Sequence, residues 1–183
     1  MPVLVDCTTV LIRNATVEAR FPGGVAAFER EAPNSTFCTD GLICRLSFMH
    51  PADHVAYVDH LCKLGFLPPT QEGSPEIAVV HATHGFQSPC SWLQAAEAEL
   101  DGGQRVVMAW LLGTDASSFV APPGWEPHSG CFELSEKQIQ EDYEFVELKD
   151  GVETRRHRVT GQLIYQGRPA VLPRKRWWKF WKS

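Results

Sequence analysis

The residues best suited to chemistry lie in the stretch HATHGFQSPCSWLQ, residues 81–94. Cys90 directly follows a proline, where the run CSWLQAAEAEL favours the start of a helix. The positive end of a helix stabilises a thiolate, and the thiolate is the nucleophilic form of cysteine. A nucleophile also needs a base within hydrogen-bond reach, and the candidate bases are His81, His84, His128 and His157. The pattern therefore gives one enzyme hypothesis, a cysteine-dependent hydrolase.

The spacing around Cys90 also carries a resemblance to a known family. QxxCxW, from Gln87 to Trp92, is similar to the glutamine-plus-cysteine arrangement of papain-like peptidases and implies a nucleophilic cysteine. The flanking signature of that family is absent, and no downstream histidine or asparagine stands in a matching context. The alternative for residues 92–100 is a strand, paired in a long hairpin with RVVMAWLLG. In that case Cys90 loses the helix dipole and is a small buried hydrophobic side chain.

The seven histidines form no recognisable metal motif. His54 and His60 are six residues apart, about 240° around a helix, so they face different sides. His81 and His84 stand at the end of an apolar run, without an HExxH or a paired CxxC to complete a zinc site. The chain also contains no glycine-rich phosphate loop and no GxSxG. The sequence therefore predicts no metal and no cofactor.

The C-terminal run RKRWWKFWKS mixes cations with aromatic rings. Its candidate binding residues are Arg174, Arg176, Trp177, Trp178, Phe180 and Trp181. Four binding targets suit this chemistry. The aromatic rings can cover an apolar groove of the same chain, insert at an anionic membrane surface, bind another protein, or stack on nucleic acid, which is the weakest choice. The tail predicts a binding segment and leaves its target open.

The rest of the chain is acidic. The formal charge of the 183 residues is −5, and residues 174–183 hold five cations and no acid, which leaves −10 on the remainder. Such a body repels phosphate backbones, so we do not expect a nucleic-acid partner for the main fold. No window approaches the roughly 18 consecutive apolar residues of a membrane span. The N-terminal residues MPVLVDC have no basic stretch typical of a secretory signal, which favours a cytoplasmic location.

The six cysteines are interpreted as reduced thiols, because their spacing is irregular and no export signal precedes them. FCTDGLIC is a local test of this interpretation. If Asp40-Gly41 is a two-residue turn, Cys38 lies opposite Ile43 and not opposite Cys44.

Hydrophobic periodicity predicts the elements that position these residues. TTVLIRN and IAVVHAT favour strands, VAAFEREA favours a helix that stops at Pro33, and Ser135 can cap a helix over 136–142. The clearest element is a helix over 51–64, which begins at Pro51 and carries an apolar stripe of Val55, Val58, Leu61 and Cys62. Two hairpins end the chain, turning at Asp150-Gly151 and Gln166-Gly167. In the first, Glu144 and Glu147 face Arg155, Arg156 or Arg158.

These elements predict a single compact α+β domain over 1–172, with a mainly antiparallel sheet and two to four helices, and a basic-aromatic tail over 173–183. The leading functional hypothesis is a non-catalytic cytoplasmic protein that binds a protein partner, of the inhibitor or immunity type. The alternatives are the Cys90 hydrolase and a peripheral membrane protein held by the tail.

Overall fold

The fold is described from a computed structural model of the chain. It covers residues 1–70, 74–100, 103, 105–115, 118–125, 136–149, 152–161 and 163–167. In this part of the chain the helices are α1 (Asn14–Arg20), α2 (Gly24–Arg30), α3 (Pro51–Lys63) and α4 (Glu136–Asp142). The strands are β1 (Val3–Val5), β2 (Thr8–Arg13), β3 (Cys38–Thr39), β4 (Ile43–Phe48), β5 (Ile77–His81), β6 (Gly85–Phe86), β7 (Leu93–Glu99), β8 (Arg105–Leu111), β9 (Tyr143–Lys149), β10 (Val152–His157) and β11 (Leu163–Gly167). All the strand pairs are antiparallel, which confirms the predicted α+β class.

A five-stranded sheet in the order β3-β4-β2-β5-β6 forms the centre of the fold. Side chains alternate across a strand, so β2 sends Val10 and Ile12 to one face and Leu11 to the other. Helices α1, α2 and α3 cover the first face, where Phe28, Phe48 and other apolar side chains complete the core. Both faces of β2 and β4 are buried, which explains their nearly continuous β-branched and apolar composition.

A second sheet, in the order β1-β8-β7, packs on the other face of the central sheet. Val3, Leu93 and Ala109 of this sheet contact Leu11 and the other apolar side chains of that face. The fold therefore has three layers, with helices, the central sheet and the second sheet in that order. A third sheet, in the order β11-β10-β9, follows α4, and its strand β11 lies close to β4.

Helix α3 confirms the clearest prediction from sequence. It begins at Pro51, and the His50 side chain caps it by accepting a hydrogen bond from the backbone N–H of Ala52, at 3.2 Å. The buried face differs from the predicted stripe, because it is formed by His54, Tyr57 and Leu61 while Val55 is exposed. In the described part of the chain, no helix has the length and apolar composition needed to span a membrane.

The helix favoured over 92–100 is wrong, because residues 93–99 form β7. β8 supplies the reason, since it pairs with β7 from Leu93 opposite Leu111 to Glu99 opposite Arg105. The alternative hairpin is therefore the observed structure. A complete ladder of hydrogen bonds outweighs the helix propensity of QAAEAE, which is worth only a few tenths of a kcal/mol per residue.

Two predicted turns also need correction. Cys38 lies opposite Arg45 and not opposite Ile43, because the two-residue turn lies one residue later, at Gly41-Leu42. The backbone N–H of Asp40 donates to the Ile43 carbonyl, and Asp40 Oδ1 accepts the backbone N–H groups of Leu42 and Ile43. The proposed turn at Gln166-Gly167 is wrong, since both residues belong to β11 and pair with β10. The turn at 150–151 lies outside the described residues, but Lys149 stands opposite Val152 as a two-residue turn requires.

The interpretation of the cysteines as reduced thiols is wrong at one position. Cys7 is disulfide-bonded, whereas Cys38, Cys44, Cys62 and Cys90 are free. Cys7 stands between β1 and β2 with a positive φ of 53°, a backbone conformation that is uncommon for a residue with a side chain. Sequence spacing did not indicate a disulfide, because pairing depends on which strands the fold brings together.

Candidate functional site

Cys90 lies just before β7 and is half-buried against the apolar cluster between the two packed sheets. Burial raises the pKa of its thiol, and this outweighs the backbone N–H groups of Trp92 and Leu93 and the charge of Arg13, which act in the opposite direction. Because the residues after Cys90 form a strand, no helix dipole stabilises a thiolate. The hydrolase hypothesis thus loses the electrostatic basis on which it was made.

His81 and His84 do lie together, at the end of β5. Their Nδ1 atoms are 3.1 Å apart, and the Thr83 hydroxyl is 3.0 Å from each of them. The backbone N–H groups of Thr83 and His84 both donate to His81 Nδ1, at 3.1 and 3.3 Å. With these two donors, His81 Nδ1 acts as a hydrogen-bond acceptor. None of the hydrogen bonds in the described part of the chain joins either ring to Cys90.

His54 is a third histidine near this pair, and it projects from α3. It is buried, not on the surface as expected for an ordinary histidine, and its side chain hydrogen-bonds Gln87. Burial lowers the pKa of His54, because the protonated ring loses its hydration. Across the described residues, no three His, Cys, Asp or Glu side chains are grouped closely enough to hold a metal ion.

The other predicted site residues are separate from this pair. His157 ends β10, where its ring contacts Tyr143 edge-on with centroids 4.9 Å apart. His128 lies outside the described residues. So do the candidate binding residues of the tail: Arg174, Arg176, Trp177, Trp178, Phe180 and Trp181.

A buried polar cluster around Arg45 was not predicted from sequence. The Arg45 side chain is fully buried, and its Nη1 atom lies 2.7 Å from Oδ1 of Asp6. Nη1 also donates to the Ser47 hydroxyl, and Nε donates to the sulfur of Cys38 at 3.3 Å. Ser47 in turn lies 2.8 Å from the Thr9 hydroxyl. A signal existed in the run ICRLSF, where a cation interrupts a strand that is otherwise apolar or small.

This cluster connects separate elements of the fold. The Arg45 Nη2 atom is buried and has no hydrogen-bond partner among the described residues. The guanidinium connects β4 to Asp6, which joins β1 to β2, and thereby fixes how the two packed sheets meet.

Strand β9 presents a different surface, which exposes large apolar side chains to solvent. Phe145 is 58% exposed, Leu148 is 60% exposed and Val146 is 39% exposed. Phe145 stands opposite Arg155, and Leu148 stands opposite Glu153, so these two side chains share a face with the Arg155–Glu153 ion pair. Val146 is the extra residue of a β-bulge between these pairs. Large apolar groups clustered on one exposed strand are typical of an interaction surface.

The carboxylates of the same segment are exposed as well. Glu141 and Asp142 end α4, and Glu144 and Glu147 project from β9. Glu144 forms a half-exposed ion pair with Arg156 at 3.7 Å, which confirms one of the predicted cross-strand pairs. Glu147 stands opposite the uncharged Thr154. Because their partners on β10 alternate with those of Phe145 and Leu148, Glu144 and Glu147 project to the opposite face of the sheet. We call residues 141–148 the β9 surface; it presents apolar side chains on one face of the edge strand and a negative border on the other.

The β9 surface also has an open edge. β9 is the last strand in the order β11-β10-β9, so within the described residues only β10 pairs with it. Sequence analysis identified the hairpin and its charges, but not the exposure of Phe145 and Leu148.

Comparison of the chain with protein-family models, with curated proteins and with solved structures found no match. A proposal about function therefore depends on the surfaces of the molecule itself.

Proposed function

We propose that this chain is a non-catalytic binding protein that acts on a protein partner through the β9 surface. The observation that carries the proposal is the exposure of Phe145, Val146 and Leu148 together on an edge strand. Burying such side chains against a partner contributes about 25 cal/mol per Å² of apolar surface. The folded chain exposes three apolar side chains to water on one strand, so a partner that covers them stabilises the complex.

The border of the β9 surface indicates the kind of partner. Its four exposed carboxylates favour a partner that brings cations to one face of the edge strand and apolar side chains to the other; they are Glu141, Asp142, Glu144 and Glu147. The acidic remainder of the chain adds long-range attraction for such a partner. An acidic binding protein that blocks a basic partner is of the inhibitor or immunity type, and this comparison depends on charge and size alone.

The reactive side chains support binding over turnover. The raised pKa of Cys90 disfavours its nucleophilic form, and its sulfur has no hydrogen bond to a histidine in the described part of the chain. His81 and His84 form hydrogen bonds with each other and with Thr83. A cysteine hydrolase would need a base within hydrogen-bond reach of the thiol, to take up its proton.

The proposal is tested by affinity capture from the native source with the full-length chain and two variants. Phe145→Ser/Leu148→Ser removes the apolar centre of the β9 surface. Leu112→Ser is the matched control, because Leu112 is 54% exposed but lies just after β8, on the second sheet. Truncating two interface side chains of this size weakens binding by about tenfold or more. We expect a partner that the wild type and the control retain and that the double variant loses.

Equal recovery of every captured protein by the double variant and the control would contradict the proposal. A captured protein that depends on the β9 surface should also lose affinity as salt is raised, since exposed charges are screened beyond about 10 Å at 0.1 M salt. Binding that does not respond to salt would argue against the acidic border as a determinant.

We also propose the cytoplasm as the location of the protein, because four cysteines in the described part of the chain are free. Cys38 and Cys44 are buried thiols of the kind found in reducing compartments. The disulfide at Cys7 is more typical of an oxidising compartment and counts against this location. Alkylation in intact cells, followed by mass spectrometry of the Cys7 peptide, tests this location. A reducing compartment keeps the Cys7 thiol reduced, and only the reduced thiol is alkylated.

A further inference from the structure

We propose that the β9 surface is covered by the chain's own C-terminal segment, residues 174–183, which competes with the protein partner for the same site. This inference rests on the proposed function of the β9 surface and names a segment of the same chain as a ligand of that surface. The carrying observation is a match in chemistry between the surface and the segment. The surface combines exposed apolar side chains with carboxylates, and the segment RKRWWKFWKS combines aromatic side chains with cations.

The match holds in both charge and polarity. The segment contains five cations, and the β9 surface exposes four carboxylates, at residues 141, 142, 144 and 147. Trp and Phe side chains bury large apolar areas, and Phe145 and Leu148 offer such an area within the same short strand. Cations of the segment can also stack on the Phe145 ring. No other stretch of ten residues in the sequence combines four aromatic rings with five cations.

The path of the chain brings the segment to this surface. Gly167, at the end of β11, stands opposite Val152, which stands opposite Lys149 at the end of β9. Two strand spacings separate β11 from β9, or about 10 Å. The seven residues from Gly167 to Arg174 span up to about 23 Å when extended, so the segment reaches β9 easily. It arrives at the Lys149 end of β9 and can return along the strand towards Glu144.

The same features argue against a second copy of the β9 surface as the occupant. Two such surfaces would bring the carboxylates of Glu144 and Glu147 together, and like charges repel. The β-bulge at Val146 also disturbs the regular backbone geometry that pairing of two edge strands needs. The basic segment has neither disadvantage.

The experiment is zero-length carbodiimide cross-linking of the full-length chain, which joins a lysine to a carboxylate that contacts it. Unlabelled chains are mixed with ¹⁵N-labelled chains, so that mass spectrometry separates links within one chain from links between two. We expect links from Lys179 and Lys182 to Glu144 and Glu147, all within one chain and independent of protein concentration. Glu147→Lys should remove the links to that position, while Glu97→Lys, an exposed site on β7, should leave all of them in place.

A second measurement reports docking without cross-links. Trypsin cleaves after Arg174, Lys175 and Arg176, and docking should slow this cleavage because a protease needs a locally open segment. We expect Phe145→Ser/Leu148→Ser to be cleaved there about fivefold faster than the wild type or more, and Leu112→Ser to match the wild type.

Three results would overturn the inference. Links that join labelled to unlabelled chains would assign the segment to a second copy. Equal cleavage rates in the wild type and the double variant, with no links to residues 141–147, would show that the β9 surface is not its site. Equal cleavage that phosphatidylserine vesicles suppress would assign the segment to a lipid surface. Each result leaves the capture experiment on the protein partner unaffected, so the two proposals fail separately.

Discussion

The buried Arg45–Asp6 pair makes the sharpest prediction about stability, because its two members differ in their access to water. Arg45 is 0% exposed and Asp6 is 25% exposed, with 2.7 Å between Nη1 and Oδ1. Asp6→Ala leaves a guanidinium in the interior without its counter-charge. Arg45→Met removes the buried charge, keeps a similar length and leaves a carboxylate that water can still reach. The two substitutions break the same ion pair but should lower the free energy of unfolding by different amounts.

The magnitudes follow from that difference. Removing one partner of a buried pair costs about 3–5 kcal/mol, and the partial exposure of Asp6 favours the lower end, about 3 kcal/mol for Asp6→Ala. For a chain of this length, that loss lowers Tm by about 6–12 °C. Arg45→Met should cost about 1 kcal/mol, mainly from the hydrogen bond to Ser47. The double variant should lose about as much free energy of unfolding as Arg45→Met, because it contains no buried charge without a counter-charge.

Urea unfolding followed by circular dichroism measures all three free energies of unfolding. Asp6→Asn is a useful control, since it keeps the shape and one acceptor oxygen and should fall between wild type and Asp6→Ala. The reasoning is refuted if Arg45→Met is more destabilising than Asp6→Ala. It is also refuted if Asp6→Ala costs less than about 1 kcal/mol, the range of a surface ion pair.

Three further predictions concern a thiol, a histidine and the core. Burial raises the pKa of Cys90, so iodoacetamide should label it more slowly in the native protein than in urea, and faster native labelling would restore the nucleophile hypothesis. Burial lowers the pKa of His54 below its ordinary 6.5, so the unfolded chain is protonated at this histidine at a higher pH than the folded chain. The contribution of neutral His54 to the free energy of unfolding is therefore fully present above pH 6.5. It is lost as the pH falls from there towards the folded pKa. Urea midpoints measured on either side of that pH should therefore decline less in His54→Gln than in wild type, and parallel curves would contradict the assignment. Phe48→Ala should cost about 3–5 kcal/mol of unfolding free energy, because its ring is fully buried against Tyr57, whereas Phe145→Ser should change it by less than about 0.5 kcal/mol. Calorimetry compares the two, and similar losses would mean that the exposed and buried rings were assigned wrongly.

Local patterns accounted for much of the fold. β2, β5 and α3 were predicted because their apolar spacing follows the period of a single element and because Pro51 marks a helix start. The hairpin β9–β10 was predicted because a two-residue Asp-Gly turn fixes its register. These signals act over a few residues, so no knowledge of distant partners was needed.

Other elements depended on partners far away in sequence. The run after Cys90 favours a helix in isolation but forms β7, because β8 supplies its hydrogen bonds. Asp40 accepts two backbone N–H groups in a turn that lies one residue later than predicted, so that Cys38 stands opposite Arg45 and not Ile43. Propensity scales contain neither effect.

The sequence by itself determined the composition of the two interacting surfaces that we propose, an acidic body and a basic-aromatic C-terminal segment. It also determined the α+β class, since periods of two and of 3.6 residues are properties of the local chain. Only the tertiary structure decided that Arg45 is buried against Asp6 and that Phe145 and Leu148 are exposed on an edge strand. Burial is a property of what packs against a residue, and residues distant in sequence supply that packing.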